Sequence, residues 1–478
     1  MAGLHFADRT AAMRRRTILR IGIAYPVWQA WPSAWARGIE LAAAAGELDV
    51  VAAGADPTGV YDSSAAFRRA IATSNSIFVP AGRFVIGDVT LRSGLSLRGA
   101  GQRSELAQRL GSQYGLWCDS GSPAISDNFR DISIRSLQLR GRCEVDGFSE
   151  HQHLLNLNGV TRCLVEGVTF TAFRGDAIYL GSSNQGATER HNRDVTIREC
   201  MFDGVNHLNR NAISVIDCDG LTIDACRFER VARPDMPGAI DLEPDANPFH
   251  VVRNVRITNN RFVDIGGNVG AISLVVPARM ATPSAGIVVS HNEIRGTRRA
   301  AFCLLQRGVV DKASRPRGLE ISHNSVLASA DRPFHIEGVH QATIEDNRFV
   351  ACHRSALVGY LPPALSVTEL TMIGNRFEQC GWQDSAGLRV HDVLGARFER
   401  NEWIDCGNGG PGAAAVELAA GQSASLAFES NTFSTPLGLT RFAIRRSLAH
   451  RSVGADGHFR GNRIGAGMLN QFNEAIAS

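Results

Sequence analysis

Ten stretches of this 478-residue chain repeat one pattern: NVTIRECMF, GLTIDACRF, NVRITNNRF, GIVVSHNEI, GLEISHNSV, QATIEDNRF, ELTMIGNRF, GARFERNEW, SLAFESNTF and GHFRGNRI. Each closes on an apolar anchor: Phe202, Phe228, Phe262, Ile294, Val326, Phe349, Phe377, Trp403, Phe433 and Ile464. The anchors are spaced 26, 34, 32, 32, 23, 28, 26, 30 and 31 residues apart. A unit of this length that restarts on a β pattern cannot bury its apolar face alone and must stack on its neighbours. Within each unit apolar residues alternate, the period of a strand with one buried face. The Asn before the Arg-Phe pair (Asn260, Asn347, Asn375) suits a tight turn or a stacked amide ladder. The pattern predicts an all-β, right-handed parallel β-helix of about 11–13 coils.

A solenoid grows in one dimension, so the length of the chain does not demand several cores. Expected boundaries are 1–46 for a leader and linker, 47–101 for an N-terminal cap with the first coils, 102–435 for the β-helix with lateral loops, and 436–478 for a last coil and C-terminal cap. The segment 102–130 fits no coil and is expected to be a lateral loop. Net charge is +3, from 50 basic and 47 acidic residues, which gives no electrostatic footprint for nucleic acid. The ten cysteines carry no CxxC spacing, and Cys352, Cys380 and Cys406 each follow an anchor by three residues. They read as buried, stacked thiols rather than as disulfides or metal ligands. No stretch is long and apolar enough to span a membrane.

A second strand family lies between the anchors: AIYLG from Ala177, AISVI from Ala212, AIDLE from Ala239, AISLV from Ala271, AFCLL from Ala301 and PFHIE from Pro333. Alternation places Ile178, Ile213, Ile240, Ile272, Phe302 and Phe334 in one inward column. Tyr179, Ser214, Asp241, Ser273, Cys303 and His335 form the outward column beside it. A further outward column includes Ile216, Glu243, Val275 and Leu305. Its apolar members predict an exposed stripe, which leaves a homotrimer or homodimer open.

The segment Gly238-Ala-Ile-Asp-Leu-Glu-Pro-Asp245 holds three acids in five residues. Asp241 and Glu243 stand two residues apart on one strand, about 6.5–7 Å by backbone spacing. Glycoside hydrolysis uses one carboxyl to protonate the leaving oxygen and a second to activate water or attack carbon; about 6.5–9.5 Å between them suits inversion. Asp241 and Glu243 are therefore the expected acid/base pair, with Asp217 and Asp176 in reserve. Tyr179, His207, Arg210, Asn211, Asp245, His335 and Arg307 are the candidates for binding sugar hydroxyls or a uronate carboxylate. No metal-ligand spacing is present.

Two resemblances add to this. Residues 54–71 and 77–101 resemble the N-terminal cap of the pectate-lyase-like superfamily: Asp56, Gly59 and Asp62 keep its turn, Ser63 replaces the second Asp, and Phe84 replaces the strand Tyr. That superfamily includes polysaccharide lyases, polygalacturonase-type hydrolases, mannuronan epimerases and phage tailspikes. The resemblance implies a polysaccharide or oligosaccharide partner without choosing a chemistry. The Asp-Pro-His-Glu motif of the alginate epimerases is absent, and Gly175-Asp176-Ala177 keeps only the first acid of the polygalacturonase Gly-Asp-Asp pair. Hydrolysis without a cofactor is the first expectation. A lyase or epimerase with an Arg or Tyr179 base and calcium on Asp241, Glu243 and Asp245 is the second, and a non-catalytic glycan-binding or structural β-helix the third. Arg15-Arg16-Thr17-Ile18-Leu19-Arg20 resembles a twin-arginine export motif, with Ala34-Trp35-Ala36 as a cleavage site, which implies a periplasmic or secreted protein. Met1 and Met13 both remain open as the start.

Overall fold

The computed structural model of the protein is a right-handed parallel β-helix of about 13 turns. It describes residues 43–472, apart from 45, 120, 123, 183–189, 246, 278, 308–311, 360–365 and 453–456. The leader expected within 1–46 falls on residues 1–42, outside the described residues. No described helix is long and apolar enough to cross a membrane.

Three sheets run the length of the described solenoid, with 16, 15 and 14 strands. One coil illustrates the path: Val160–Glu166 in the first sheet, Thr169–Thr171 in the second, Ile178–Gly181 in the third, then Asn192–Arg198 back in the first. Neighbouring coils pair in parallel, so every residue position becomes a column. The anchor column stacks ring on ring: Phe170, Phe202, Phe228 and Phe262 have centroids 5.0, 4.8 and 4.6 Å apart with planes 4° from parallel. Each is fully buried, which is worth about 1.5–3 kcal/mol per side chain over exposure.

The repeat reads as one strand in the sequence, yet it is two strands across a corner. Asn192–Arg198 belongs to the first sheet, and Met201–Asp203, carrying the anchor, belongs to the second. The corner residue adopts left-handed backbone in coil after coil, as at Ala225 (φ 52), Asn259 (φ 56), His291 (φ 56) and Asp346 (φ 48). The Asn that follows is a rung of a buried ladder. Asn375 Nδ2 donates to Asn401 Oδ1 at 2.9 Å and to the Ile344 carbonyl at 2.7 Å, while its Oδ1 accepts from the Asn347 amide at 3.1 Å. The ladder passes through Asn260, Asn292, Asn324, Asn347, Asn375, Asn401, Asn431 and Asn462. Cys226 holds the rung position before Asn260, whose Oδ1 accepts its amide at 2.8 Å. All ten cysteines are buried free thiols.

The segment 102–130 departs from expectation. Ser104–Gln108 pairs with Gly82–Ile86, and Tyr114–Cys118 pairs with Val89–Thr90 and His153–Asn158, so this stretch contributes two rungs to the solenoid. Its strands lack a phenylalanine anchor, which hid them from the repeat. Coils also continue past residue 436: Phe442–Arg446 pairs with Ala414–Leu418, and Arg463–Ile464 with Thr432–Ser434. Helix Ser64–Thr73 follows the Asp56 turn and packs Phe67, Ala70 and Ile71 into the core.

Candidate functional site

The third sheet carries the expected outward column in the expected order. Tyr179 pairs with Ser214, Ser214 with Asp241, Asp241 with Ser273, Ser273 with Cys303, and Cys303 with His335. Asn156 precedes Tyr179, and Trp117 precedes Asn156. Outward from the sheet, however, does not mean exposed. Ser214, Asp241 and Ser273 each keep 1 % of their surface, and Cys303 keeps 7 %. The apolar stripe expected beside them is covered too, since Ile216 and Val275 are 4 % and 6 % exposed. Leu305, in the same column, is half-buried.

Burying polar side chains requires that they bond to one another. Arg210 Nη1 reaches both oxygens of Asp176, at 3.0 and 3.2 Å, and donates to Ser214 Oγ at 2.8 Å. Asn211 Nδ2 donates to the same Ser214 Oγ at 2.9 Å and to Asp241 Oδ2 at 3.4 Å, while its Oδ1 accepts the Gly238 amide. Ser273 Oγ donates to Asp241 Oδ1 at 2.8 Å. Asp176 takes the Asn211 amide at 3.1 Å, and its own amide donates to His153 Nδ1 at 3.1 Å. A single network thus runs from His153 through Asp176, Arg210, Ser214 and Asn211 to Asp241 and Ser273.

Asp241 is the group this environment perturbs most usefully. Burial pushes its carboxyl up to about 8, and the neighbouring Glu243 adds to the rise through charge and a hydrogen bond. Asp241 is therefore protonated at neutral pH, held against Glu243, which is 9 % exposed. The spacing of about 6.5–7 Å expected between their backbones thus leaves the two carboxyls within reach of a hydrogen bond. Burial opposes charge on Arg210, yet Asp176, Asp241 and Glu150 hold its guanidinium more firmly protonated than usual. His153 lies 3.3 Å from Asp176 Oδ2, but burial lowers it to about 4. With its Nδ1 accepting a backbone amide, it is a neutral imidazole and the contact is not an ion pair.

The remaining expected site residues scatter. Asp217 is fully buried at a corner, where it binds His191 Nδ1 at 2.8 Å and the Val251 amide at 2.8 Å. It is a structural clamp between coils. His207 sits in left-handed backbone (φ 59), with Nε2 3.3 Å from Asp264. His335 is three strand steps beyond Asp241, with Nε2 3.4 Å from Glu337. Arg307 ends strand Ala300–Arg307, and its side chain lies outside the described residues. Asp245 is exposed and close enough to Tyr179 to help burial raise its phenol above the ordinary value. Among the described residues no group of three or more His, Cys, Asp or Glu could hold a metal ion, so Asp241, Glu243 and Asp245 do not form the calcium site entertained for a lyase.

A run of rings went unseen in the sequence. His153 stacks on Tyr179 at 4.6 Å and 4°, Tyr114 follows at 6.2 Å from His153, and Trp117 lies 5.7 Å from Tyr114. The signal was present in HLLNLN, which follows the Leu139 anchor and whose alternation puts Asn156 one step before Tyr179.

Residues 140–308 match the family model described as the right-handed beta helix region. No curated protein sequence matches the chain. Among solved structures, the chain is similar to a tailspike protein mutant of E. coli bacteriophage HK620 in complex with a hexasaccharide, with TM-score 0.57 and 14 % identity over 88 % of this chain and 78 % of that one. It is similar to the A-module of the Azotobacter vinelandii mannuronan C-5 epimerase AlgE4, with TM-score 0.51 and 13 % identity over 86 % and 100 %. Pre-mature gene product 12 of bacteriophage phi29 aligns with TM-score 0.52 and 12 % identity; 88 % of this chain is covered but only 56 % of that one. At such identities the likeness concerns the fold.

Proposed function

We propose that the protein acts on a polysaccharide laid across the outer face of the third sheet and cleaves it by hydrolysis, with the Asp241–Glu243 pair as proton source. The observation that carries this is the buried Asp241 carboxyl, protonated at neutral pH and hydrogen-bonded to the more exposed Glu243. A general acid needs its proton in place at working pH, and burial beside a second carboxyl is how a carboxylic acid keeps one. The pair would pass its proton to the glycosidic oxygen as the bond from that oxygen to the anomeric carbon breaks. Water then adds to that carbon, and its proton returns to the vacated carboxylate. Fold neighbours support a sugar ligand: the HK620 tailspike is seen with a hexasaccharide, and the AlgE4 module is a mannuronan epimerase.

Elimination or epimerisation needs a base that gives up its proton; of the candidates, Arg307 has its side chain outside the described residues, and Arg210 and Tyr179 are poorly suited. Arg210 is locked on Asp176 with its acidity weakened, and the Tyr179 phenol is held above its usual value. The arginine-rich leader resemblance fits export to where such a glycan lies, which cell fractionation of the full chain would check.

Purified protein incubated with neutral and acidic polysaccharides should release reducing ends without ultraviolet-absorbing product, and Asp241→Asn or Glu243→Gln should abolish that release. Absorbance from an unsaturated sugar would replace hydrolysis with elimination. Undiminished cleavage by both variants would remove the site from these residues, and binding without any cleavage would leave a glycan-binding solenoid.

A further inference from the structure

The two carboxyls of the acid pair are held differently, and the difference assigns their tasks. Asp241 is caged from both sides of its column. Ser273, one coil on, donates its hydroxyl to Oδ1 at 2.8 Å, and Asn211, from the coil before, donates its amide to Oδ2 at 3.4 Å. Both partners are buried, and Asn211 is itself anchored to Ser214 Oγ and the Gly238 amide. With both oxygens taken and 1 % of its surface left, Asp241 cannot swing out to meet a ligand.

Glu243 has another setting. It keeps 9 % of its surface, carries one more methylene than Asp241, and stands just past the strand end, before Pro244. The residues in step with it on the flanking coils, Ile216 and Val275, are apolar. The charged groups that face Asp241 are Glu243 on its own strand and Arg210 from the preceding coil, with Asp176 and Glu150 behind that guanidinium. The following coils offer Ser273 and then the buried Cys303 thiol. Apart from Glu243, then, Asp241 meets two donors and a cation, a setting that favours negative charge on it.

We infer that the pair divides its work: Glu243 is the catalytic acid that touches the glycosidic oxygen, and Asp241, held by Ser273 and Asn211, is the buried positioning residue that resupplies its proton. This rests on the proposal that the face cleaves glycan. The Asp241 proton crosses the hydrogen bond to Glu243, which hands a proton to the glycosidic oxygen. The bond from that oxygen to the anomeric carbon breaks with its electron pair left on the oxygen. The charge uncovered on Asp241 meets the Ser273 hydroxyl and the Asn211 amide, both already in place. Water adds to the anomeric carbon, and the proton it sheds restores the pair.

Two experiments test this, and the first needs no glycan. Carbodiimide coupling of glycine ethyl ester to the folded full chain, mapped by mass spectrometry, should label Glu243 and the exposed Asp245 while sparing Asp241. Label on Asp241, or none on Glu243, overturns the division. The second compares Ser273→Ala with Ser273→Thr, which keeps the hydroxyl. Without that donor the alkaline limb of polysaccharide cleavage, set by Asp241 at about 8, should rise by about 1 pH unit. The rate constant kcat should fall about tenfold with KM unchanged, because the lost bond matters most once charge develops. Ser273→Thr should restore both. Denaturant midpoints read the same change without substrate: the decline in stability toward pH 8 should extend to about pH 9 in Ser273→Ala. An unmoved limb and an unmoved decline overturn the inference while leaving hydrolysis standing. Expected labelling in a protein that cleaves no neutral or acidic polysaccharide would instead remove hydrolysis, and the catalytic role of Glu243 with it.

Discussion

Arg210 spends its guanidinium on Asp176, with Nη1 at 3.0 and 3.2 Å from the two carboxylate oxygens and Asp176 fully buried. A side chain that looked like a substrate ligand is thereby a structural cation, neutralising an acid one coil away and bracing Ser214 beneath Asp241. Removing one member of such a pair leaves the other charged in a dry site. Arg210→Met should therefore destabilise the protein by about 3–5 kcal/mol, while Arg210→Met combined with Asp176→Leu should cost much less. Urea unfolding of the two variants compares them directly.

Asp241 gives stability a pH dependence with a fixed sign. Its carboxyl is raised to about 8 in the folded protein, by burial first and Glu243 second, against about 3.9 in an unfolded chain. Between these values the folded state holds a proton that the unfolded state has lost. Stability is then full below about pH 4 and falls as pH rises toward 8. Asp241→Asn, neutral at every pH, lacks this loss. The variant should gain on the wild type progressively from pH 5 to pH 8, as read by denaturant midpoints. A constant difference across that range would show that Asp241 ionises normally.

The Asn ladder predicts a gradient along the axis. Asn375 is fully buried and accepts both the main-chain and side-chain N–H of Asn347, at 3.1 and 2.9 Å. Asn375→Ala strands those donors, at about 1–3 kcal/mol for each one left buried. Asn462, the last rung, is only partly buried, so water replaces what Asn462→Ala removes and the loss should be smaller. Equal losses in chemical denaturation would mean that the ladder contributes shape rather than bonds.

Which parts of this were legible in the sequence follows from what repeats. The columns through Ile240 and Asp241 came out in the right register because strand alternation and coil stacking are both strictly periodic. The strands at Ser104–Gln108 and Tyr114–Cys118 were missed because they lack the anchor that defines the period. Alternation also says which way Asp241 points but not what lies above it, so the burial of the expected acid/base pair was not legible. Asp217 and Arg210 misled for the same reason: their partners, His191 with the Val251 amide and Asp176, come from other coils, and no local pattern encodes them.

Gly181 shows how one missing side chain sets the ring run. A Cβ at this position would lie 2.3 Å from Tyr179 Cε1 and 2.5 Å from Asn158 Oδ1. Residues 179 and 181 share a strand face, and the Tyr179 ring leans over the glycine to reach its stack on His153 at 4.6 Å. The obstruction is by side-chain atoms, so Gly181→Ala should fold, at about 1–3 kcal/mol for overpacking. Its specific consequence is loss of the Tyr179–His153 stack. With that cover displaced, water reaches the imidazole, which burial now holds at about 4, and desolvation relaxes. In the variant, His153 should titrate upward toward the ordinary histidine value, followed by NMR of the ring protons. An unmoved His153 titration would show that the ring finds its stack without the glycine.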